Sequence, residues 1–165
     1  MQGYWIVRDK PNYVMSFEAR FGQNKRFSKI PRKPAQTLFE KYQVVFSPGT
    51  NDAYEAIGEF RQMNQKVFGT FRTETGDYRF LEGELDSNRL LLSCFDGSHA
   101  YLFHSYLAGD SIYGDYYSGI HYKTSFSGKK TLEGKLKSAD SLSLPRFDQK
   151  FNFNFQASDG SQINF

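Results

Sequence analysis

The chain has 165 residues, 39% of them hydrophobic, 24% charged and 18% aromatic, which suits one compact domain and is too short for two full ones. Its longest apolar runs, such as Leu90-Leu91-Leu92, fall far below the roughly 20 residues that cross a bilayer as a helix, so the chain is expected to be soluble with at most peripheral membrane contact. Twenty-one basic against 18 acidic residues leave a formal charge of +3 with no clustered Lys/Arg stripe, which argues against a nucleic-acid partner.

Strand-like segments at 4–8 and 13–21 open the chain. A connection follows over 26–36, where Pro31 and Pro34 cannot donate to a central ladder, and then a third strand within 37–46. From 53 to 62, Tyr54, Ala56, Gly58 and Phe60 occupy the even positions while Glu55, Glu59 and Arg61 alternate with them; Ile57 is the exception. That period of two marks a strand with one dry face. Gly58 argues against a helix, where it would cost about 1 kcal/mol relative to Ala. Similar runs follow at 66–73, 79–85, 89–95, 101–107, 111–117 and 121–126.

Turn-forming residues separate these runs: Pro48-Gly49, Asn64-Gln65, Thr75-Gly76-Asp77, Ser87-Asn88, Asp96-Gly97, Gly109-Asp110 and Ser118-Gly119. The 17 Phe and 11 Tyr suit a pleated, half-buried surface. The rhythm predicts an all-β fold, an antiparallel meander of about 8–10 strands forming an up-and-down barrel or a curled sandwich over residues 1–128. An inward set including Phe60, Phe71, Phe80 and Tyr101 is expected to fill its interior.

After Gly128 a lysine-rich and then small, polar stretch reads as an exposed linker over 129–150. Residues 151–165 alternate as Phe151-Asn152-Phe153-Asn154-Phe155, turn at Asp159-Gly160 and enter a second short strand, the pattern of a β-hairpin. A chain that stops on a strand is expected to be a piece of a longer protein. The start, Met1-Gln2-Gly3-Tyr4-Trp5, has no apolar leader, so an exported parent would carry its leader outside these residues.

Cys94 is the single cysteine, so the chain can form no internal disulfide, C-x-x-C pair or cysteine-rich zinc site. His99, His104 and His121 form no H-x-x-x-H or H-E-x-x-H pair, and no cofactor or metal is expected. Cys94 alternates with Leu90 and Leu92 and reads as a small buried hydrophobe. His104, alternating with Leu102 and Tyr106, reads as a satisfied cross-strand histidine.

Three strings carry a family resemblance: Gly69-Thr-Phe-Arg-Thr-Glu-Thr-Gly-Asp-Tyr-Arg-Phe-Leu-Glu-Gly83, Leu92-Ser-Cys-Phe-Asp-Gly-Ser-His-Ala-Tyr-Leu-Phe103 and Tyr116-Tyr-Ser-Gly-Ile-His-Tyr-Lys123. Over residues 44–126 the chain resembles the β-rich N-terminal region of TlpA-like, thioredoxin-superfamily proteins of Bacteroidetes-type bacteria, and residues 151–165 are similar to the opening of the thioredoxin-like domain that follows in that family. The resemblance implies a parent thiol-disulfide oxidoreductase exported to the cell envelope or periplasm of a Gram-negative bacterium. It implies for these residues a non-catalytic accessory domain, since activity in that family needs a C-x-x-C dithiol that this chain lacks. The expected partners are the thioredoxin-like domain of the same parent and a protein or peptide substrate.

Alternate turns of a meander fall at one end, so the turns near Gly76, Gly97 and Gly119 should share a rim. That rim gathers Asp77, Tyr78, Arg79, Glu82, Asp96, His99, Tyr117 and His121, candidates for a ligand or peptide pocket with Arg79 and His99 as donors, Asp96 and Glu82 as acceptors and tyrosines as walls. The same residues also suit structural work, with Arg79 paired to Glu82 or Asp96 and with Asp77 and Asp96 holding their turns. Two other functions are weighed. One is a free-standing lipocalin-like barrel binding a small hydrophobic ligand. The other is an enzyme acting through Glu82, Asp96 and His99, or through the Glu82/Glu84 pair, whose spacing on one strand face suits glycoside chemistry. Strand edges and aromatic corners would suit an extended peptide added as a strand.

Overall fold

The computed structural model describes residues 1–6, 12–22, 25–27, 30–137, 154–156 and 162–164. Eight antiparallel strands close on themselves as a barrel, which decides between the two expected architectures. They are β3 (Lys41–Phe46), β4 (Tyr54–Met63), β5 (Lys66–Thr73), β7 (Leu81–Asp86), β8 (Arg89–Phe95), β9 (Ala100–Ala108), β10 (Ser111–Ser118) and β11 (Tyr122–Lys130). Each pairs with the next in sequence, and β11 returns to β3 with Phe126 opposite Phe46 and Lys130 opposite Tyr42. A two-residue strand, β6 (Gly76–Asp77), extends β5.

The barrel forms because the period-two pattern gives every strand one apolar face and the turns let consecutive strands pair. An eight-stranded barrel is just wide enough for its own side chains to fill. Here Tyr42, Val44, Phe46, Val67, Phe71, Leu85, Leu90, Leu92 and Phe103 are wholly buried, joined by Leu81, Leu107, Ile112, Tyr116 and Phe126. Phe46, Phe71, Phe103 and Phe126 form a ring cluster with centroids 4.7–6.2 Å apart. Gly83 and Gly114 let neighbouring backbones approach, since a Cβ would stand 1.7 Å from the Leu91 carbonyl oxygen in one case and 2.2 Å from that of His104 in the other.

The expected inward set needs one correction. Phe60, Phe71 and Tyr101 belong to the packed interior, but Phe80 is 93% exposed. The Asp77 carboxylate accepts the Arg79 N–H at 2.9 Å, and Arg79 turns at a φ of 57°, so the alternation resets before β7. Tyr78 turns inward in place of Phe80.

The first two predicted strands also depart from the meander. β1 (Gln2–Ile6) and β2 (Val14–Glu18) pair only with each other, because the β11–β3 ladder leaves the barrel no edge to extend. Closure leaves the barrel no full-length edge strand for a peptide to extend, and the two-stranded hairpins keep free edges. The N-terminal hairpin rests on the wall through Trp5, edge-on to Phe95 at 5.3 Å, and Tyr13, 4.4 Å from the His121 ring.

From residue 25 the connection runs along the outside. Arg26 donates to the carbonyls of Ser93 at 2.8 Å and Glu82 at 3.3 Å, Arg32 is clasped by Asp86, and Leu38 closes the end opposite the predicted rim. After β11, residues 131–137 form a strap over β3 and β4. The Gln43 side-chain amide bonds the backbone of Lys135 in both directions, at 2.9 and 3.0 Å, and Gly134 lies against Ile57. Ile57, the exception in the alternation of β4, is therefore an outward residue buried beneath the strap.

The predicted linker 129–150 thus begins within β11, because Lys129 and Lys130 pair with Gln43 and Tyr42; residues 138–150 lie outside the described residues. β12 (Asn154–Gln156) and β13 (Gln162–Asn164) form the second hairpin, and the proposed Asp159-Gly160 turn lies outside the described residues.

Candidate functional site

The turns at 47–53, 74–80, 96–99 and 119–121 share one end of the barrel, as strand alternation requires. Tyr54, Tyr78, Tyr101 and Tyr116 close this mouth. The Tyr54 and Tyr78 hydroxyls are 2.6 Å apart, and Tyr78 stands edge-on to Tyr101, Phe103 and Tyr116 at 5.1–5.5 Å. Burial, then the neighbouring tyrosine hydroxyls, push Tyr54 and Tyr116 well above the ordinary tyrosine range. Tyr54 and Tyr116 therefore stay neutral within this aromatic plug.

Asp96 organises the adjacent corner. Its carboxylate accepts the backbone N–H groups of His99 at 2.6 Å and Ser98 at 2.8 Å and the Tyr101 hydroxyl at 3.1 Å, while the His99 ring nitrogen stands 3.3 Å away. Those backbone donors hold its carboxyl far below the usual range. Burial, reinforced by the Asp96 carboxylate, pushes Tyr101 up to about 12. At working pH the corner holds a fixed anion and a phenol, with His99 stacked on Tyr101 at 5.8 Å.

The eight predicted residues divide among several places. Tyr78 belongs to the plug, Asp77 and Arg79 to the turn behind it, and Asp96 and His99 to the corner. Glu82 is on the outer wall, 3.5 Å from Arg26. Tyr117 lies under Lys123, which is also paired with Asp115 at 3.0 Å, and His121 seats Tyr13. Asp77 and Asp96 thus hold their turns as expected, whereas Arg79 pairs with neither Glu82 nor Asp96 among the described residues, because Arg26 takes Glu82 and backbone amides take Asp96. Glu82, Asp96 and His99 do not assemble into one constellation.

Two other readings of single residues are modified. Cys94 is half-buried, its thiol donates to the Tyr78 carbonyl at 3.4 Å, and burial pushes its pKa up, so it is held as a neutral thiol. His104 lies on the outer face between Leu91 and Asp115 in register, and its buried Nε2 has no hydrogen-bond partner among the described residues. It is not the satisfied histidine expected.

Sequence reasoning missed the groove beside the mouth. A cavity of about 530 Å³ lies between the N-terminal hairpin and the β8–β9 corner, lined by Met15, Phe95, Leu102, Tyr117 and Ile120, with Arg26 at its side. Phe95 is 56% and Ile120 66% exposed. Their apolar character beside turn residues was visible in the sequence, but the placement of β2 against them was not. A smaller cleft of about 350 Å³, lined by Tyr54, Glu74, Asp77, Tyr78 and Tyr101, opens at the mouth itself. Among the described residues no group of His, Cys, Asp and Glu is arranged to hold a metal ion. Comparisons with protein-family models, curated proteins and solved structures give no match.

Proposed function

We propose that the chain is a non-catalytic recognition module that holds a protein or peptide partner at its mouth end, as the accessory domain of an exported thioredoxin-like parent in the cell envelope. The observation that carries this reading is the contrast between a filled interior and an open, aromatic exterior at one end. Phe71, Phe103 and Phe126 occupy the space in which a lipocalin-like barrel would hold its ligand. Outside it, the 530 Å³ groove and the 350 Å³ cleft meet at Tyr101, within the size range of small-molecule and side-chain pockets.

An apolar groove beside fixed polar groups suits an extended segment with bulky side chains. Tyrosine walls give contact area at low entropy cost, and the Asp96 carboxylate and Arg26 guanidinium supply opposite charges near the path. In a longer parent, holding a substrate here would make its encounter with the following domain intramolecular. Titration of the full chain with an unfolded protein, reduced and oxidised, followed by Trp5 fluorescence, tests the reading. Saturable binding weakened by Leu102→Asp is expected, and absence of binding to both forms overturns it.

A further inference from the structure

We propose that the cleft at the mouth, between Tyr54, Tyr78 and Tyr101, takes a cationic side chain of the bound partner, arginine in preference to lysine, with Glu74 as its counter-charge. The proposal rests on the recognition reading for the existence of a partner and adds which side chain that partner carries.

The cleft, of about 350 Å³, has the walls for such a group. Three tyrosine rings line it, and a cation within about 6 Å of a tyrosine centroid is drawn to the negative face of the ring. The Tyr101 hydroxyl donates to Asp96 at 3.1 Å and the hydroxyls of Tyr54 and Tyr78 face each other at 2.6 Å, so the walls offer rings more than donors. An anion would meet three carboxylates there. Glu55, Glu74 and Asp77 line the cleft, and no Lys, Arg or His is among the described residues that do.

Glu74 points most directly to a ligand. Its side chain is only 17% exposed, although Thr75, Gly76 and Asp77 of the same turn face solvent. A sheltered carboxylate is normally closely paired, because burying a charge without a partner is costly. Charge-assisted hydrogen bonds run at about 2.7–2.9 Å. The contacts of Glu74 among the described residues are longer and both come from Lys137 of the strap, the backbone N–H at 3.4 Å and the ammonium at 3.9 Å. The Lys137 side chain is itself exposed, so a better-matched cation can displace it. A guanidinium is that cation: its plane stacks on tyrosine and its fork can give two bonds to one carboxylate. The cleft and the apolar groove meet at Tyr101, so the partner segment would set a bulky apolar side chain in the groove beside an arginine in the cleft.

The test titrates the full chain by calorimetry with a Gly/Ser host peptide carrying one leucine and one arginine on the same face of an extended strand, and with versions in which lysine or the neutral isostere citrulline replaces the arginine. Citrulline should weaken binding at least about tenfold, the effect of losing one hydrogen bond between charged groups, and lysine should fall between. Glu74→Gln should abolish the preference for arginine over citrulline. Lys137→Ala, which frees Glu74, should tighten the arginine peptide and leave the citrulline peptide unchanged. Equal binding of the arginine and citrulline peptides, a preference that survives Glu74→Gln, weaker arginine binding in Lys137→Ala, or no binding of the arginine peptide overturns the proposal. If unfolded protein binds while arginine shows no preference over citrulline, only the cationic subsite falls. If the arginine preference holds while unfolded protein fails to bind in either form, the recognition reading falls and the cation site remains.

Discussion

Asp86 shows how a single carboxylate ties the connection to the barrel. It is 5% exposed, accepts the Arg32 backbone N–H at 2.8 Å and side chain at 2.9 Å, and pairs with Arg89 at 2.8 Å. The hydrogen bonds from Arg32 lead in holding its pKa down to about 2. Since an unfolded Asp titrates near about 3.9, its contribution is fully present above that pH and is lost as pH falls towards 2. Thermal unfolding followed by circular dichroism should show the wild-type midpoint falling between about pH 4 and pH 2, and Asp86→Asn should start lower and fall less steeply. Parallel slopes would refute the latch. In the interior, Phe71 touches four rings and is wholly buried, so Phe71→Ala should cost about 3–5 kcal/mol in a denaturant titration. The turn roles of Asp77 and Asp96 were legible because each acts on backbone two or three residues away. Glu82 was misplaced because its partner, Arg26, is 56 positions distant in sequence.

At the scale of elements, the strands follow from alternation, and their exceptions mark where other elements cross them. Ile57 breaks the pattern of β4 because the strap covers it, and a Cβ at Gly134 would stand 2.6 Å from its side chain. Gly134→Val should therefore lift the strap or displace Ile57, at a cost of about 1–3 kcal/mol. Hydrogen exchange should rise across 131–137 while the barrel ladders stay protected; unchanged exchange in the strap would contradict this packing. The N-terminal hairpin has a different status. It shares no ladder with the barrel and is held by side-chain contacts, chiefly Trp5 on Phe95 and Tyr13 on His121. Tyr13→Ala should expose Trp5 and red-shift its emission without changing the denaturation midpoint of the barrel by more than about 1 kcal/mol equivalent, because it removes no core side chain.

For the whole molecule, closure governs what the fold can do. Joining β11 to β3 closes the sheet so that none of the eight strands is left as a free edge strand, and the circumference leaves room inside only for the protein's own side chains. A partner of the proposed recognition role would therefore meet the mouth or the outer wall rather than the interior. A small apolar probe such as benzene should leave the thermal midpoint of the wild type unchanged. The same probe should raise that of Phe71→Ala, whose lost ring leaves an apolar cavity of the kind that stays dry and takes up such molecules. A comparable rise in the wild type would show unfilled space in the interior and revive a lumen ligand.

The sequence by itself determined the period of two, the places where the chain turns, the β class and the gathering of alternate turns at one end. These depend on backbone pleating and on residues a few positions apart. Only the tertiary structure decided that the sheet closes at eight strands, that Tyr78 rather than Phe80 enters the mouth, that Ile57 is covered from outside, and that a groove opens where β2 meets the β8–β9 corner. Each of these depends on surfaces far apart in the chain meeting in space, where burial of apolar area and completion of backbone pairing outweigh local preference.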